Sequence, residues 1–280
     1  MMEAVTVRVP ASTSNLGPGF DCLGVALRIY NSVTVARGRR GRASEMIAEA
    51  ADAFFDAATA KPFPFATRIA GDVPVSRGLG SSVTVRLGVM HGLNALLGRP
   101  LAREAVFEIC ADLEGHPDNA APAEFGGFNV IGAQHRQRFA VDGKLKFVLL
   151  VPDFEVSTAK AREILPAQVD RRSAVMSCGN ACAITAAFAS GAYENLRGAF
   201  DDHLHQPFRK SLVPFFDRAV AAAELAGALG AFLSGSGSTI AALTLDDAGK
   251  LRDNMQHAAK GGARVITTTA DNRGAQIVTR

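Results

Sequence analysis

The stretch that decides the fold class lies in the first third of the chain and reads Pro74-Val75-Ser76-Arg77-Gly78-Leu79-Gly80-Ser81-Ser82. Apolar residues then recur on adjoining turns as far as Leu96, which predicts a helix that begins at Ser81. A glycine-rich loop before a helix presents backbone N–H groups and the positive end of the helix dipole to an anion. The loop lacks the lysine of a Walker loop, and an ordinary turn before a capped helix has a similar composition. Taken alone, the loop could be either a phosphate-binding loop or an ordinary turn before a capped helix.

The rest of the sequence alternates between strand-like and helix-like segments, without a repeat or a linker. Val5, Val7 and Val9 alternate with polar residues, as in a half-buried strand. Apolar residues at three- and four-residue steps predict a helix over residues 43–60. Further strands are expected at 29–35, 67–70, 127–131, 139–141, 146–151, 231–233, 239–245, 264–268 and 276–279, and further helices at 101–113, 159–165, 172–190 and 214–228. These segments predict a mixed α/β fold whose halves meet near residue 150.

Composition excludes several classes of protein. The 280 residues are 48% hydrophobic and 20% charged, which is enough apolar material for a core and argues against disorder. Thirty basic and 27 acidic side chains leave a net charge of +3, too small for a nucleic-acid or membrane surface. The basic run over residues 37–42 has no aromatic residues interleaved, so we expect no nucleic-acid partner there.

Three features of the sequence indicate the cellular compartment of the protein: its cysteines, its N-terminal residues and one apolar stretch. The chain has no CxxC pair among Cys22, Cys110, Cys178 and Cys182, so we expect buried, reduced thiols and a cytoplasmic protein. Residues 1–8 lack the basic-then-apolar layout of a signal peptide. Small polar residues interrupt the charge-free stretch over residues 173–193, which predicts a buried helix of a soluble protein and no membrane partner.

Two further loops carry polar residues suited to chemistry. Asn15 and Asp21 follow the first strand, where an amide and a carboxylate suit an ammonium or hydroxyl group, although both residues are also typical of turns. Glu114 ends a helix and could hold a hard cation. Glu108 and Asp112 on the same helix compete for that role, and a solvated helix end is the alternative.

Two other features have simple structural interpretations. The small residues over 233–239 suit a connection between two strands. His203 and His205 lie two residues apart, and we expect them to be exposed loop residues rather than metal ligands.

In combination and in this order, the loops resemble the signatures of the GHMP small-molecule kinase superfamily, and their details resemble its homoserine kinase branch. In that family a Pro-x-x-x-Gly-Leu-Gly-Ser-Ser loop binds the phosphates of ATP, and residues 74–82 match it at every position. The similar segments are 15–21, 115–123, 157–162, 205–209 and 233–239. The resemblance implies an α/β (α+β) GHMP kinase-like fold of two subdomains. It implies an ATP-binding domain over 1–150, like domain 2 of ribosomal protein S5, and a ferredoxin-like domain over 151–280.

The resemblance also implies an activity: ATP-dependent phosphorylation of the side-chain hydroxyl of L-homoserine, in threonine biosynthesis. ATP and Mg²⁺ would be the cofactors, with residues 74–82 on the nucleotide and Ser82 and Glu114 on the metal. A homodimer is expected by the same resemblance. A kinase for another small alcohol, such as mevalonate or shikimate, and a nucleotide-binding regulator without turnover are the alternatives.

The implied substrate site follows from the three polar groups of homoserine. Asp21 and Asn15 would bind the ammonium group. Arg162 and Arg209 would bind the carboxylate, for which the planar guanidinium is suited. The residues expected at the hydroxyl end are Thr158, His116 and Asn119. Asn119 and Arg209 are the expected catalytic residues, and since asparagine accepts no proton, we expect catalysis by positioning and electrostatics. The neighbouring Asp118 leaves the alternative of a general base open.

Overall fold

The computed structural model describes residues 3–38, 44–133 and 135–279. Most of the basic run over residues 37–42, where no nucleic-acid site is expected, lies outside the described residues. The protein is a mixed α/β fold of two antiparallel sheets with helices packed against them.

The first sheet is organised around two long antiparallel strands, β1 (Ala4–Ser14) and β2 (Leu23–Arg37). The predicted alternation is confirmed, since Val5, Val7 and Val9 are all buried. The other strands are β3 (Phe65–Gly71), β4 (Phe128–Ile131), β5 (Arg136–Phe139) and β10 (Gln276–Thr279). The order is β10-β1-β2-β4-β5, with β3 also paired to β2, so the chain returns to this sheet at its end.

Four helices accompany this sheet: α1 (Glu45–Ala57), α2 (Ser81–Leu96), α3 (Arg103–Glu114) and α4 (Ala120–Phe125). The inward valines of β1 and β2 pack with Phe54 of α1 and with Leu87 and Leu93 of α2 in one hydrophobic cluster. This packing fixes the N-terminus of α2 beside the end of β1, where the predicted phosphate loop lies.

The second sheet contains β6 (Lys146–Pro152), β7 (Gly230–Leu233), β8 (Ile240–Thr244) and β9 (Ala263–Thr269). Its order is β7-β8-β6-β9 with antiparallel pairs, which is a ferredoxin-like arrangement. The helices α8 (Phe216–Leu225) and α9 (Ala248–Ala258) pack on this sheet around a cluster that includes Val148 and Leu251.

The segment between β6 and α8 is helical and lies beside the cleft. It contains α5 (Thr158–Glu163), α6 (Arg171–Ser190) and α7 (Gln206–Arg209), and the short 3₁₀ helices Tyr193–Leu196 and Lys210–Leu212. Among the described residues, α6 is the one helix long and apolar enough to cross a membrane, which is weak evidence for a span.

The prediction that residues 173–193 form a buried helix is wrong. Only Ser177, Ile184, Ala187 and Phe188 of α6 are buried. The expected burial of the cysteines holds for Cys110, but Cys178 and Cys182 are exposed on α6 and Cys22 is half-buried. Beyond its two N-terminal arginines, the outward face of α6 carries small residues together with the exposed apolar side chains of Val175 and Met176, and composition alone does not distinguish such a face from a core face.

The two sheets share one hydrophobic cluster. It joins Val25 of β2 and Phe128 of β4 to Phe147 of β6, Phe232 of β7 and Phe188 of α6, and the rings of Phe128 and Phe188 stack at 4.3 Å. The strand β6, which contains residue 150, belongs wholly to the second sheet. The division into domains at that residue stays a prediction.

Candidate active site

A cavity of about 400 Å³ is lined by residues from both halves of the chain. Eight of the nine residues of the predicted phosphate loop line it, and the ninth, Pro74, is buried without lining it. The eight other residues predicted at the site also line this cavity: Asn15, Asp21, Glu114, His116, Asn119, Thr158, Arg162 and Arg209. Residues that are up to 194 positions apart therefore meet at one place.

The phosphate loop enters α2 through two glycines with left-handed backbone. Gly78 has φ +72° and Gly80, the N-cap of α2, has φ +67°. A Cβ atom on Gly78 would lie 2.1 Å from the carbonyl oxygen of Ser234, so the loop packs against the 233–239 connection. No described side chain caps α2, so its first N–H groups are available to an anion.

Arg77 links this loop to the second half of the chain. Its guanidinium donates to the carbonyl oxygens of Pro152 and Asp153 at 2.8 and 2.7 Å, and pairs with Glu155 at 3.2 Å. The side chain thus fixes the position of the loop relative to β6.

Ser82 and Glu114 meet at the edge of the cavity and fit a hard cation. The Ser82 hydroxyl donates to Oε2 of Glu114 at 2.8 Å. Oε1 of Glu114 is buried without a hydrogen-bond partner among the described residues, and Arg86 Nε lies 3.4 Å from it. A hydroxyl and a carboxylate with a spare buried oxygen are a suitable donor set for Mg²⁺. Glu108 lines a neighbouring cavity of about 730 Å³ instead.

The opposite end of the cavity is highly charged. Asp21 accepts two hydrogen bonds from Arg162, at 2.8 and 3.1 Å. Arg209 is 2% exposed and forms no ion pair among the described residues. It donates to the carbonyl oxygens of Ala161 and Gly235, at 2.9 and 3.3 Å. Burial, together with the neighbouring Arg162, lowers the pKa of Arg209 to about 10.

A hydrogen-bonded group of His116, Asp118 and Asn119 lies between these two ends. His116 Nδ1 is 2.7 Å from Oδ1 of Asp118, which is 2% exposed. Burial acts to raise the pKa of Asp118, but the hydrogen bond and charge of His116 outweigh it and the pKa is lowered. Asp118 is therefore a buried, ionised carboxylate. Asn119 donates to Ser14 and accepts from Ser12.

Asn15 and Thr158 have different surroundings from these residues. The amide of Asn15 donates to the carbonyl oxygen of Gly235 at 3.0 Å and accepts from the backbone N–H of Asp21 at 3.0 Å. Its side chain thus shapes the Asp21 loop, and its contact with a substrate ammonium stays a prediction. The hydroxyl of Thr158 lies 3.3 Å from that of Ser236 and is exposed.

Comparison with known proteins gives the family. Residues 45–127 match the family described as "GHMP kinases N terminal domain" and residues 176–261 match "GHMP kinases C terminal". The chain is 36% identical to the homoserine kinases of Caldicellulosiruptor bescii and Clostridium botulinum. Each match covers 98% of this chain, with 96% and 98% of the respective relative. The chain belongs to the homoserine kinase family of GHMP kinases.

A solved structure agrees with this assignment. The crystal structure of homoserine kinase from Cytophaga hutchinsonii matches with a TM-score of 0.90 and 26% identity, over 99% of this chain and 98% of that chain. The two-subdomain GHMP kinase fold that the loops imply is thereby confirmed for this kinase.

Sequence reasoning missed Ser14, which lines the cavity of this kinase although it resembles an ordinary strand residue in the sequence. Asp118, whose role the sequence leaves open, lines the cavity too. His205 was expected to be exposed but is fully buried, with Nε2 2.8 Å from the carbonyl oxygen of Gly17 and its ring stacked on Phe20. It is the N-cap of α7, which contains Arg209 of the cavity. The expectation was wrong because two closely spaced histidines in a loop carry no sequence signal for this packing.

Proposed function

We propose that this cavity transfers the γ-phosphoryl group of ATP to the side-chain hydroxyl of L-homoserine and forms O-phospho-L-homoserine. The observation that carries the proposal is Arg209, a buried guanidinium that lines the cavity without a carboxylate partner among the described residues. Burying an unpaired charge costs free energy, so this position favours a ligand that supplies an anion. The carboxylate of an amino acid meets that need.

The nucleotide phosphates would lie on the loop over residues 75–82, at the uncapped N-terminus of α2. Ser82 and Glu114 would hold Mg²⁺, which neutralises phosphate charge when it is bound. Glu108 faces another cavity, which favours Glu114 for this role.

The zwitterionic part of the substrate would lie at the charged end of the cavity. Asp21 would take the ammonium group, with Asn15 shaping its loop, and Arg162 and Arg209 would take the carboxylate. Asp21 and Arg162 pair with each other, so a bound amino acid would replace this ion pair by one between Asp21 and its ammonium group and one between the arginines and its carboxylate. An alcohol without an amino group would leave Asp21 without a new partner.

The remaining residues would orient the hydroxyl toward the phosphate loop. Thr158, His116 and Asn119 line the same cavity. Asn119 accepts no proton near neutral pH, and phosphoryl transfer through a loose transition state needs little prior deprotonation of the nucleophile. The residues therefore act by positioning and by stabilising charge. We also propose that the protein acts in the cytoplasm and forms a homodimer.

A substrate panel tests the function directly. ADP release is measured with the purified protein, Mg²⁺-ATP and, in turn, L-homoserine, mevalonate and shikimate. We expect kcat/KM for L-homoserine to exceed the others by at least about 100-fold, because mevalonate and shikimate offer a carboxylate to the arginines but no ammonium group to Asp21. Comparable rates for an alcohol without an amino group, or ATP binding without transfer to any alcohol, would contradict the proposal.

A further inference from the structure

Ser14, the last residue of β1, is fully buried and lines the cavity. Its Oγ accepts a hydrogen bond from Nδ2 of Asn119 at 2.9 Å. The same Nδ2 lies 3.4 Å from Oδ1 of Asp118, and Oδ1 of Asn119 accepts the hydroxyl of Ser12 at 2.8 Å. An amide has two N–H donors and two lone pairs on oxygen. The protein thus engages both donors and one lone pair, which leaves a single lone pair on Oδ1.

The orientation of this amide is decided by the charge on Asp118. An ionised carboxylate only accepts hydrogen bonds, so the NH₂ side of Asn119 must face it. The reverse orientation would place Oδ1 against the carboxylate and leave the Ser12 hydroxyl opposite a donor. Ser14 reinforces the observed orientation, because its oxygen accepts from Asn119 while its own hydrogen helps to hold the pKa of Asp118 low, after the larger effect of His116.

The remaining lone pair belongs to an oxygen beside the phosphate loop. A Cβ atom built on Gly80 would lie 3.2 Å from Oδ1 of Asn119. Gly80 is the N-cap of α2, where the terminal phosphate of the nucleotide is proposed to lie. An acceptor at this point can take the hydrogen of an attacking hydroxyl and so direct the oxygen of that hydroxyl toward phosphorus.

We propose that Ser14 is a positioning residue for phosphoryl transfer, which holds the Asn119 amide with its oxygen toward the phosphate loop. Ser14 acts through Asn119 and does not itself contact the reacting atoms. The inference rests on the proposed function, since Asn119 orients the hydroxyl only if that hydroxyl is phosphorylated here.

The test is a double-mutant cycle between Ser14→Ala and Asn119→Ala, with kcat and both KM values measured for L-homoserine and ATP. We expect Ser14→Ala to lower kcat about tenfold, because a misaligned acceptor weakens an interaction made in the transition state, and to change each KM less than about twofold. In the Asn119→Ala background the Ser14→Ala substitution is expected to have no further effect.

A matched control removes a hydroxyl elsewhere on the same strand. Thr6 bonds Thr34 at 2.9 Å within the sheet and does not line the cavity, so Thr6→Val is expected to leave kcat unchanged. Should Ser14→Ala not fold, as judged by thermal melting, Ser14→Cys takes its place in the same cycle.

Three results would overturn the inference. The effects of the two substitutions on kcat could multiply, which would mean that Ser14 acts independently of Asn119. Ser14→Ala could also raise a KM with kcat unchanged, or leave all three constants unchanged. In each case the wild type still phosphorylates L-homoserine and only the role of Ser14 is refuted, whereas a wild type without this activity would refute the proposed function as well.

Discussion

The environment of Arg209 is the strongest indication that the substrate carries an anionic group. The sequence locates it by its place in the 205–209 segment, and in the structure it lines the same cavity as Arg162. The sequence does not reveal that its guanidinium is buried and that, within residues 3–38, 44–133 and 135–279, it bonds only to carbonyl oxygens and the ring of His205. That property depends on α7 packing against the cleft and arises only in the folded chain.

Replacing Arg209 by leucine is expected to raise the KM for L-homoserine by about 30-fold or more, since a hydrogen-bonded charge contributes roughly 2 kcal/mol or more. The KM for ATP should change less than about twofold. Lys210→Leu is the matched control, because this neighbouring cation is exposed and pairs with Asp217 at 3.0 Å. Steady-state kinetics with each substrate varied in turn provide the measurement, and equal effects on both KM values would contradict the assignment.

Ser14 marks the limit of what the sequence predicts at the scale of residues. The motif residues that line the cavity could be located one by one because the family pattern names each position. The sequence indicates Asp118 beside Asn119 but leaves its role open, because an Asp-Asn pair after a helix has the same composition as a turn. A serine at a strand end has no signal of its own, and the tertiary approach of β1 to Asn119, within 2.9 Å, gives Ser14 its place at the cavity.

The loop before α2 and the loop between β7 and β8 act as one element. Gly78 approaches the carbonyl oxygen of Ser234, and the hydroxyl of Ser234 donates to the carbonyl oxygen of Gly78 at 2.6 Å. The sequence predicts the glycines as a way for backbone to approach phosphate. The structure adds a second reason, because the protein's own backbone already occupies the space beside Gly78.

Gly78→Ala is therefore expected to move the loop and raise the KM for ATP at least about fivefold, because Cβ cannot fit 2.1 Å from an oxygen. Gly98→Ala provides the control. Gly98 also has a positive φ, of +82°, but has nothing within 4 Å of its Cβ position. It should lose about 1 kcal/mol of stability with an unchanged KM for ATP. Equal KM values for both variants would contradict this account.

Glu124 of α4 joins three helices in the N-terminal half. It is fully buried, lies 2.7 Å from Nε2 of His91 on α2, and accepts from Nε of Arg103 at the start of α3. Burial acts to raise the pKa of Glu124, but the charges and hydrogen bonds of His91 and Arg103 outweigh it and the pKa is lowered. The carboxylate is thus a structural charge outside the cavity.

Glu124→Gln is expected to lower the free energy of unfolding by about 2 kcal/mol at neutral pH, because an amide replaces the buried carboxylate that bonds to His91 and Arg103, and hydrogen bonds to a charged group are stronger than neutral ones. A depressed pKa stabilises the fold above the ordinary value of 4.5 and loses this effect as the pH falls through the lower folded value. The difference between wild type and variant in urea unfolding should therefore shrink below pH 4.5. A difference that is independent of pH in this range would contradict the assignment.

The helices α9 and α6 show why sequence analysis omitted one element and predicted the wrong burial for another. The predicted elements omit α9, since its buried face comprises only Ala248, Leu251, Met255 and Ala258, a stripe too thin to stand out in the sequence. The sequence predicts the length of α6 well but not its exposure. Residues 173–190 of this helix carry no charge, so which of its faces is covered depends on its neighbours, and these are set by the whole fold.

At the scale of the molecule, the halves are held together by one hydrophobic cluster and by the return of β10 to the first sheet. The sequence predicts two halves near residue 150 but not that they share a core. We expect a single cooperative unfolding transition in urea, with coincident far-UV and near-UV circular dichroism curves. Two separate transitions would contradict a shared core.

The most direct test of the account is a crystal structure of the protein with a non-hydrolysable ATP analogue, Mg²⁺ and L-homoserine. We predict the γ-phosphate at the N-terminus of α2 beside Gly80, and the homoserine carboxylate on Arg162 and Arg209 with its hydroxyl toward Asn119. Density for the nucleotide away from the loop over residues 75–82, or for homoserine outside this cavity, would contradict the account.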